Sequence, residues 1–167
     1  MFYHSTRSVS NPVDSAQAVL EGLAPDGGLY MPESLPVFDW QACLKGTSMD
    51  MATMILSALL PDIPNMPELV KKAYTGKFET EDLTPTVPVG DFGVLELFRG
   101  PTSAFKDVAL SMLPQLLTAA KTAKGMKEDI MILTATSGDT GKAALEGFHD
   151  VDGIRITVFY PYGGVSQ

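Results

Sequence analysis

Apolar positions along this chain change their period partway through, and the change divides it. In the first half, prolines and glycines cut the pattern into short pieces. Asp14 or Ser15 stands where a helix would be capped, apolar residues continue to about Glu21, and Gly22 has the character of a left-handed stop. Gly22-Leu23-Ala24-Pro25-Asp26-Gly27-Gly28 reads as a turn, and Leu29-Tyr30-Met31 as a short extended piece. Trp40, Leu44, Met51, Met54, Ile55, Leu56, Leu59 and Leu60 predict two short helices that end at Pro61, and Pro67 suits the first turn of another that runs through Ala73. From about Leu83 the texture differs. Pro85 and Pro88 mark a boundary before a predicted strand at Gly93-Val94-Leu95-Glu96-Leu97-Phe98. Val108, Met112, Leu116 and Ala120 then recur at helical spacing in a long helix that Pro114 would kink. Ile130-Met131-Ile132-Leu133 and Ile154-Arg155-Ile156-Thr157-Val158-Phe159 read as strands, joined by a glycine-bearing turn and a helix through Leu145.

This pattern predicts an α/β protein: a small amino-terminal mixed α/β domain at 1–82, then the incomplete start of a parallel-sheet domain at 83–167. The last residues, Gly163-Gly164-Val165-Ser166-Gln167, fall in what should be a further strand-to-helix turn. The expectation is a truncated sheet of about three strands with a bare edge, a surface through which oligomers form.

Composition narrows the picture modestly. Of 167 residues, 45% are hydrophobic and 19% charged, an ordinary globular balance. A net charge of -8 argues against nucleic acid or an anionic membrane as partner, but leaves room for a small anion held by local N–H groups and a few cations. Cys43 is the only cysteine, so no internal disulfide forms, which suits a reducing cytoplasm. The start of the chain lacks the basic and apolar regions of a signal peptide, and no apolar run is long enough to cross a bilayer. His4 and His149 are isolated from other ligating residues, and the methionines of the first half read as core filler, so no metal site is indicated.

Two turns carry the candidate chemistry, because open parallel sheets bind ligands beyond the carboxyl ends of their strands. In the first, Lys106 lies at a helix start beside Phe105. The positive end of a helix disfavours an ammonium group there and favours the neutral amine that attacks a carbonyl. The bland reading is a lysine pointing into water. The second turn, Thr134-Ala135-Thr136-Ser137-Gly138-Asp139-Thr140-Gly141-Lys142, offers hydroxyls and free backbone N–H groups to an anion. Its bland reading is a helix cap provided by Ser137, Asp139 or Thr140. A nucleotide-binding P-loop is excluded by spacing, since Thr136 stands where its first glycine belongs and Ala143 follows the lysine in place of Ser or Thr.

Together, Gly100-Pro101-Thr102-Ser103-Ala104-Phe105-Lys106-Asp107 and the stretch from Thr134 to Gly141 resemble the threonine synthases, pyridoxal-phosphate enzymes of fold type II with a tryptophan synthase β-like architecture. Tyr3-His4-Ser5-Thr6-Arg7, the turn from Gly22 through Tyr30 and the terminal Tyr160-Pro161-Tyr162-Gly163-Gly164-Val165-Ser166 are similar to the same family in the same order. The resemblance implies conversion of O-phospho-L-homoserine and water to L-threonine and phosphate. It implies Lys106 as the catalytic lysine that carries pyridoxal 5'-phosphate, and Ser137, Gly138, Asp139 and Thr140 beside the cofactor. Ser103, Ser137 and Thr140 would meet the substrate, Phe105 would cover the ring, and the glycine-rich loop for the cofactor phosphate is expected beyond this chain. Asp139 stands where many fold-type-II relatives carry asparagine, which leaves a hydrogen bond to the ring hydroxyl open. Two other readings stand beside this one: a non-catalytic module of the same family, and another fold-type-II enzyme such as a serine dehydratase or cysteine synthase.

Overall fold

The computed structural model describes residues 1–8 and 11–164; the expectation for Val165 and Ser166 in the terminal turn lies outside them. The chain is a mixed α/β fold of two compact units, Met1–Val70 with Leu116–Lys127 and Lys71–Gln115 with Glu128–Gln167.

In the first unit, β1 (Phe2–Ser5) is the centre of a three-stranded antiparallel sheet, flanked by β2 (Val13–Asp14) and β3 (Tyr30–Pro32). Helix α1 (Ser15–Glu21) begins where Asp14 accepts from the Gln17 N–H at 2.9 Å and ends at Gly22, whose φ of 69° releases the chain. The turn that follows is held by Asp26, which accepts from the hydroxyls of Ser5 at 2.6 Å and Ser8 at 2.9 Å and from the Gly28 N–H at 3.0 Å. A Cβ on Gly28 would lie 2.1 Å from the Ser5 hydroxyl, so only glycine fits there. Helix α2 (Trp40–Cys43) is a single turn capped by Asp39, and α3 (Ser48–Leu59) opens with a capping box between Thr47 and Asp50. Trp40 and Leu44 are exposed, because a one-turn helix has too little face to bury them. Ser15 is completely buried and exchanges hydrogen bonds with Asp62: its Oγ donates at 2.8 Å, its N–H at 3.1 Å, and it accepts from the Asp62 N–H at 3.1 Å. Helix α4 (Met66–Tyr74), with Pro67 in its first turn as anticipated, places Met66 and Val70 in this core.

The second unit departs from expectation at its start. The segment predicted as a strand over 93–98 does not enter a parallel sheet. Instead β4 (Thr86–Val89) and β5 (Phe92–Leu95) form an antiparallel hairpin in which Pro88 faces Gly93. Gly90-Asp91 is a two-residue hairpin turn, Gly90 has φ +59°, and Pro88 is tolerated because a two-stranded ribbon leaves one edge of each strand unpaired. Helix α5 (Asp107–Ala123), β6 (Ile130–Ala135), α6 (Asp139–Phe148) and β7 (Ile154–Phe159) follow in the anticipated order. The parallel sheet has two strands, β6 and β7, rather than three, paired from Ile130 opposite Ile154 to Ala135 opposite Phe159. Burial alternates along both. Ile132, Ile156 and Val158 belong to the more covered set, while Met131, Leu133 and Phe159 on the other face are exposed. On α6, Ala143, Ala144 and Phe148 are buried, and Gly147 lets the helix approach the backbone of Leu110, where a Cβ would lie 2.1 Å from the carbonyl oxygen. Among the described residues no helix is long and apolar enough to cross a membrane, and no group of side chains could hold a metal ion.

Two measurements test this packing. Ser15→Ala removes both the hydroxyl that Asp62 accepts from and the acceptor of its N–H, so urea unfolding should show a loss of about 1–3 kcal/mol; an unchanged midpoint would contradict the buried network. Tyr74 is buried with its hydroxyl donating to the Val108 carbonyl at 3.0 Å, and burial pushes its phenol up to about 12. Its folded value lies above the unfolded one of about 10, so the unfolded chain loses the proton first as pH rises. The stability tied to Tyr74 is therefore intact below about pH 10 and falls by roughly 2 kcal/mol as pH climbs to about 12. Tyr74→Phe should flatten that alkaline limb in urea titrations.

Candidate functional site

The turn before α5 is built on one buried carboxylate. Asp107, the first residue of the helix, is 2% exposed and accepts from the Thr102 N–H at 2.8 Å, the Thr102 hydroxyl at 2.6 Å and, at 3.4 Å, the Ala104 N–H. Gly100 makes the space for it: a Cβ there would lie 2.5 Å from both Cβ and Oδ2 of Asp107. The Ser103 N–H donates to the Gly100 carbonyl at 3.1 Å and the Asp107 N–H to the Ala104 carbonyl at 3.0 Å, closing the loop on itself. Ser103 pays for this closure with φ +57°, a left-handed conformation that costs a non-glycine residue about 1 kcal/mol or more. No pattern in the sequence announces that strain.

Lys106 sits between this anchored turn and the helix. Its carbonyl accepts the Leu110 N–H at 2.8 Å, the first backbone bond of α5, so its backbone position is fixed. Its amine, by contrast, lies 4.2 Å from the centroid of the exposed Phe105 ring and makes no hydrogen bond or ion pair among the described residues. A primary amine on a rigid backbone with no competing partner is available for covalent chemistry.

The second turn joins β6 to α6. Ser137, Gly138 and Asp139 line a cleft of about 290 Å³ together with Thr136, Lys142 and Tyr160. Thr140, at the second position of the helix, is half-buried and is not among the cleft's lining residues, and neither is Lys106. The cap anticipated from Ser137, Asp139 or Thr140 does not form, for α6 starts at Gly138 without any side-chain capping bond. The contrast with α1, α2 and α3, each capped by its own Asp or Thr, is informative. The first amides of α6 keep their hydrogen-bonding capacity for something else, at the positive end of a ten-residue helix. Gly138 is open, with no atom within 4 Å of where its Cβ would be, whereas Gly141 is packed: a Cβ there would lie 2.4 Å from Thr136 Cγ2. One glycine admits a ligand and the other seats the helix against its strand.

The two turns meet through Lys142. Its Nζ donates to the Thr102 carbonyl at 3.1 Å, tying the third-turn residues of one loop to the start of α6. A second hollow, lined by Pro101, Thr102, Lys142, Leu145, Glu146 and His149, lies along the same seam. The resemblance put Lys106 and 137–140 in two turns beside one cofactor but gave no sign of this join. As a donor set, a free lysine amine, an uncapped helix start and the hydroxyls of Thr136 and Ser137 suit an aldehyde cofactor with anionic substituents better than they suit a metal.

Gly100→Ala tests the anchor. The added methyl must displace a buried carboxylate, at a cost of about 2 kcal/mol or more, so the thermal midpoint should fall by about 4 °C or more. A midpoint equal to that of the unsubstituted chain would show that Asp107 does not organise this turn.

Comparison with known proteins places these features in context. Residues 2–74 match the family model described as threonine synthase N terminus. The chain is 37% identical to threonine synthase of Saccharomyces cerevisiae over 98% of its own length and 36% of that protein's. It is 38% identical to threonine synthase of Methylobacillus glycogenes over 100% of its length and 38% of that protein's. Human threonine synthase-like 1 is 35% identical over 91% of the chain and 22% of its own length. The structure superposes on pyridoxal-phosphate-bound threonine synthase from Brucella melitensis with a TM-score of 0.90 and 37% identity, covering 99% of this chain and 37% of that one. With the yeast enzyme the TM-score is 0.86 at 34% identity, covering 99% and 36%. The chain thus spans a little over a third of the length of the threonine synthases it matches.

Proposed function

We propose that this chain belongs with the amino-terminal portion of the threonine synthase family and that it supplies the catalytic lysine and part of the substrate site of a pyridoxal-phosphate-dependent lyase, one that converts O-phospho-L-homoserine and water to L-threonine and phosphate. The observation that carries the proposal is the Lys106 amine, which has the Phe105 ring beside it but no hydrogen bond or ion pair among the described residues, on a backbone fixed by the Asp107 anchor. In this reading 1–82 act as the amino-terminal domain and 83–167 as the beginning of the cofactor domain. The activity belongs to a protein longer than this stretch, since the relatives carry nearly twice as many residues again.

Bound pyridoxal phosphate would supply an electron sink in its pyridine ring. Lys106 holds the cofactor, and its amine, once free, moves protons at the α and β carbons of the substrate. The turn of 100–107 keeps that amine in place, with Ser103 on the substrate side and Phe105 as an apolar cover. The uncapped amides of Asp139 and Thr140 and the hydroxyls of Ser137 and Thr140 receive the substrate's carboxylate or phosphate, where the helix dipole favours negative charge. Gly138 leaves room for the cofactor to approach the backbone, and Asp139 stands beside it. A biosynthetic enzyme of this kind works in the cytoplasm on a small soluble substrate. The exposed edges of β6 and β7 remain the surface through which further chain or a second subunit would add.

The alternative is a non-catalytic module of the same family, and a human protein named threonine synthase-like 1 is among the chain's relatives. Borohydride reduction of the full-length protein, followed by peptide mass spectrometry, decides between them at the level of chemistry. The lysine assignment requires a pyridoxyl mass on Lys106 and its loss in Lys106→Ala; a variant that still retains reduced cofactor elsewhere in the chain would refute it. Turnover of O-phospho-L-homoserine to threonine then distinguishes this reaction from that of a serine dehydratase or cysteine synthase.

A further inference from the structure

Lys142 is the one cation at the start of α6, and it is spent on a backbone carbonyl rather than on a carboxylate. Its side chain is largely exposed, yet Nζ reaches back 3.1 Å to the oxygen of Thr102, forty residues earlier in the chain. Thr102 is itself buried and is the residue whose N–H and hydroxyl both donate to Asp107. Thr102 thus links the two: its carbonyl accepts from Lys142 Nζ, while its N–H and hydroxyl donate to the Asp107 carboxylate, which adjoins Lys106 in the chain. Lys142 also lines the cleft formed by Ser137, Gly138 and Asp139. It thus bonds to the first turn and lines the cleft of the second.

We propose that Lys142 is a positioning residue for Lys106, holding the lysine turn in register with the substrate-binding turn; the proposal rests on the function inferred above. A charged donor bonded to a carbonyl is stronger than a neutral one, and the Thr102 carbonyl shares its peptide unit with the Ser103 N–H, so donation there polarises that unit and strengthens the bond from Ser103 to the Gly100 carbonyl that closes the loop. Without the tie, the loop of 100–105 keeps its anchor on Asp107 but loses its bond to α6, while the reaction needs the amine and the substrate carboxylate fixed to within a fraction of an ångström. The effect falls on the chemical step. Substrate is gripped by the α6 amides and hydroxyls; Lys142 lines the same cleft, so a direct grip on the substrate anion would show in KM, whereas the positioning role shows in kcat.

The test uses the full-length protein with Lys142→Met, which keeps the stem and removes the donor, and Lys142→Arg, which restores one. Amide hydrogen exchange reads the tie without reference to activity. In Lys142→Met the amides of 102–104 should exchange about tenfold faster while those of β6 are unchanged. With O-phospho-L-homoserine, kcat should fall about tenfold with KM within about twofold of the unsubstituted enzyme, and Lys142→Arg should recover most of both losses. Unchanged exchange at 102–104 overturns the tie. Faster exchange with unchanged kcat, a loss confined to KM, or an arginine variant no better than the methionine one overturns the positioning role. Failure of the functional reading looks different: borohydride then leaves no pyridoxyl group on Lys106 in the unsubstituted protein, the positioning role falls with it, and the exchange measurement still decides whether the tie exists.

Discussion

The geometry of the candidate site depends on a single buried carboxylate. Asp107 stands at the first position of α5 and draws in the Thr102 N–H, the Thr102 hydroxyl and the Ala104 N–H, so the loop before the helix has one conformation rather than many. Leaving such a group without its donors would cost several kcal/mol, and that penalty is what holds the loop. Two less favourable features are accepted in consequence: a residue without a side chain at position 100, and a left-handed serine at 103. The left-handed serine is a local departure from relaxed backbone of the kind that gathers at functional sites. The result is a lysine whose main chain is immobilised and whose amine is unengaged.

The start of α6 follows the opposite strategy. Elsewhere in the chain, helices are closed off by their own side chains: Asp14 caps α1, Asp39 caps α2, and Thr47 with Asp50 caps α3. At α6 a residue with no side chain occupies the capping position, although serine, aspartate and threonine are all adjacent. Side-chain capping is forgone at this helix start, and what is left is a set of amides beside a cleft. One turn is saturated with internal hydrogen bonds and the other is left with its first amides uncapped, and Lys142 joins them.

The helices and the β6–α6–β7 unit were legible because their apolar residues repeat at fixed spacing and their ends carry recognisable caps, as at Asp14 and Gly22. The hairpin of β4 and β5 was missed although Gly90-Asp91 lies between two strand-like runs: two prolines were read as a boundary, whereas a ribbon whose outer edges are unpaired can accommodate Pro88. Strands β1 and β2 had no periodic signal, since four residues and two residues are too short to establish one, and only pairing over long sequence distance makes them strands. Trp40 and Leu44 were read as helix markers, and the helix exists, but hydrophobicity did not decide their burial.

The sequence by itself determined which residues have the chemistry, namely a lysine beside an aromatic ring at a helix start and a hydroxyl-rich, glycine-bearing turn after a strand, because residue type and local spacing are properties of the chain alone. Tertiary structure decided whether those groups were free or engaged. Whether Ser137 caps a helix, whether Asp107 is solvated or buried and whether the Lys142 amine reaches Thr102 all depend on contacts between residues distant in sequence or on the dihedral angles at one loop. A hydrogen bond forms when two groups arrive within about 3 Å at the right angle, and only the folded chain brings them there.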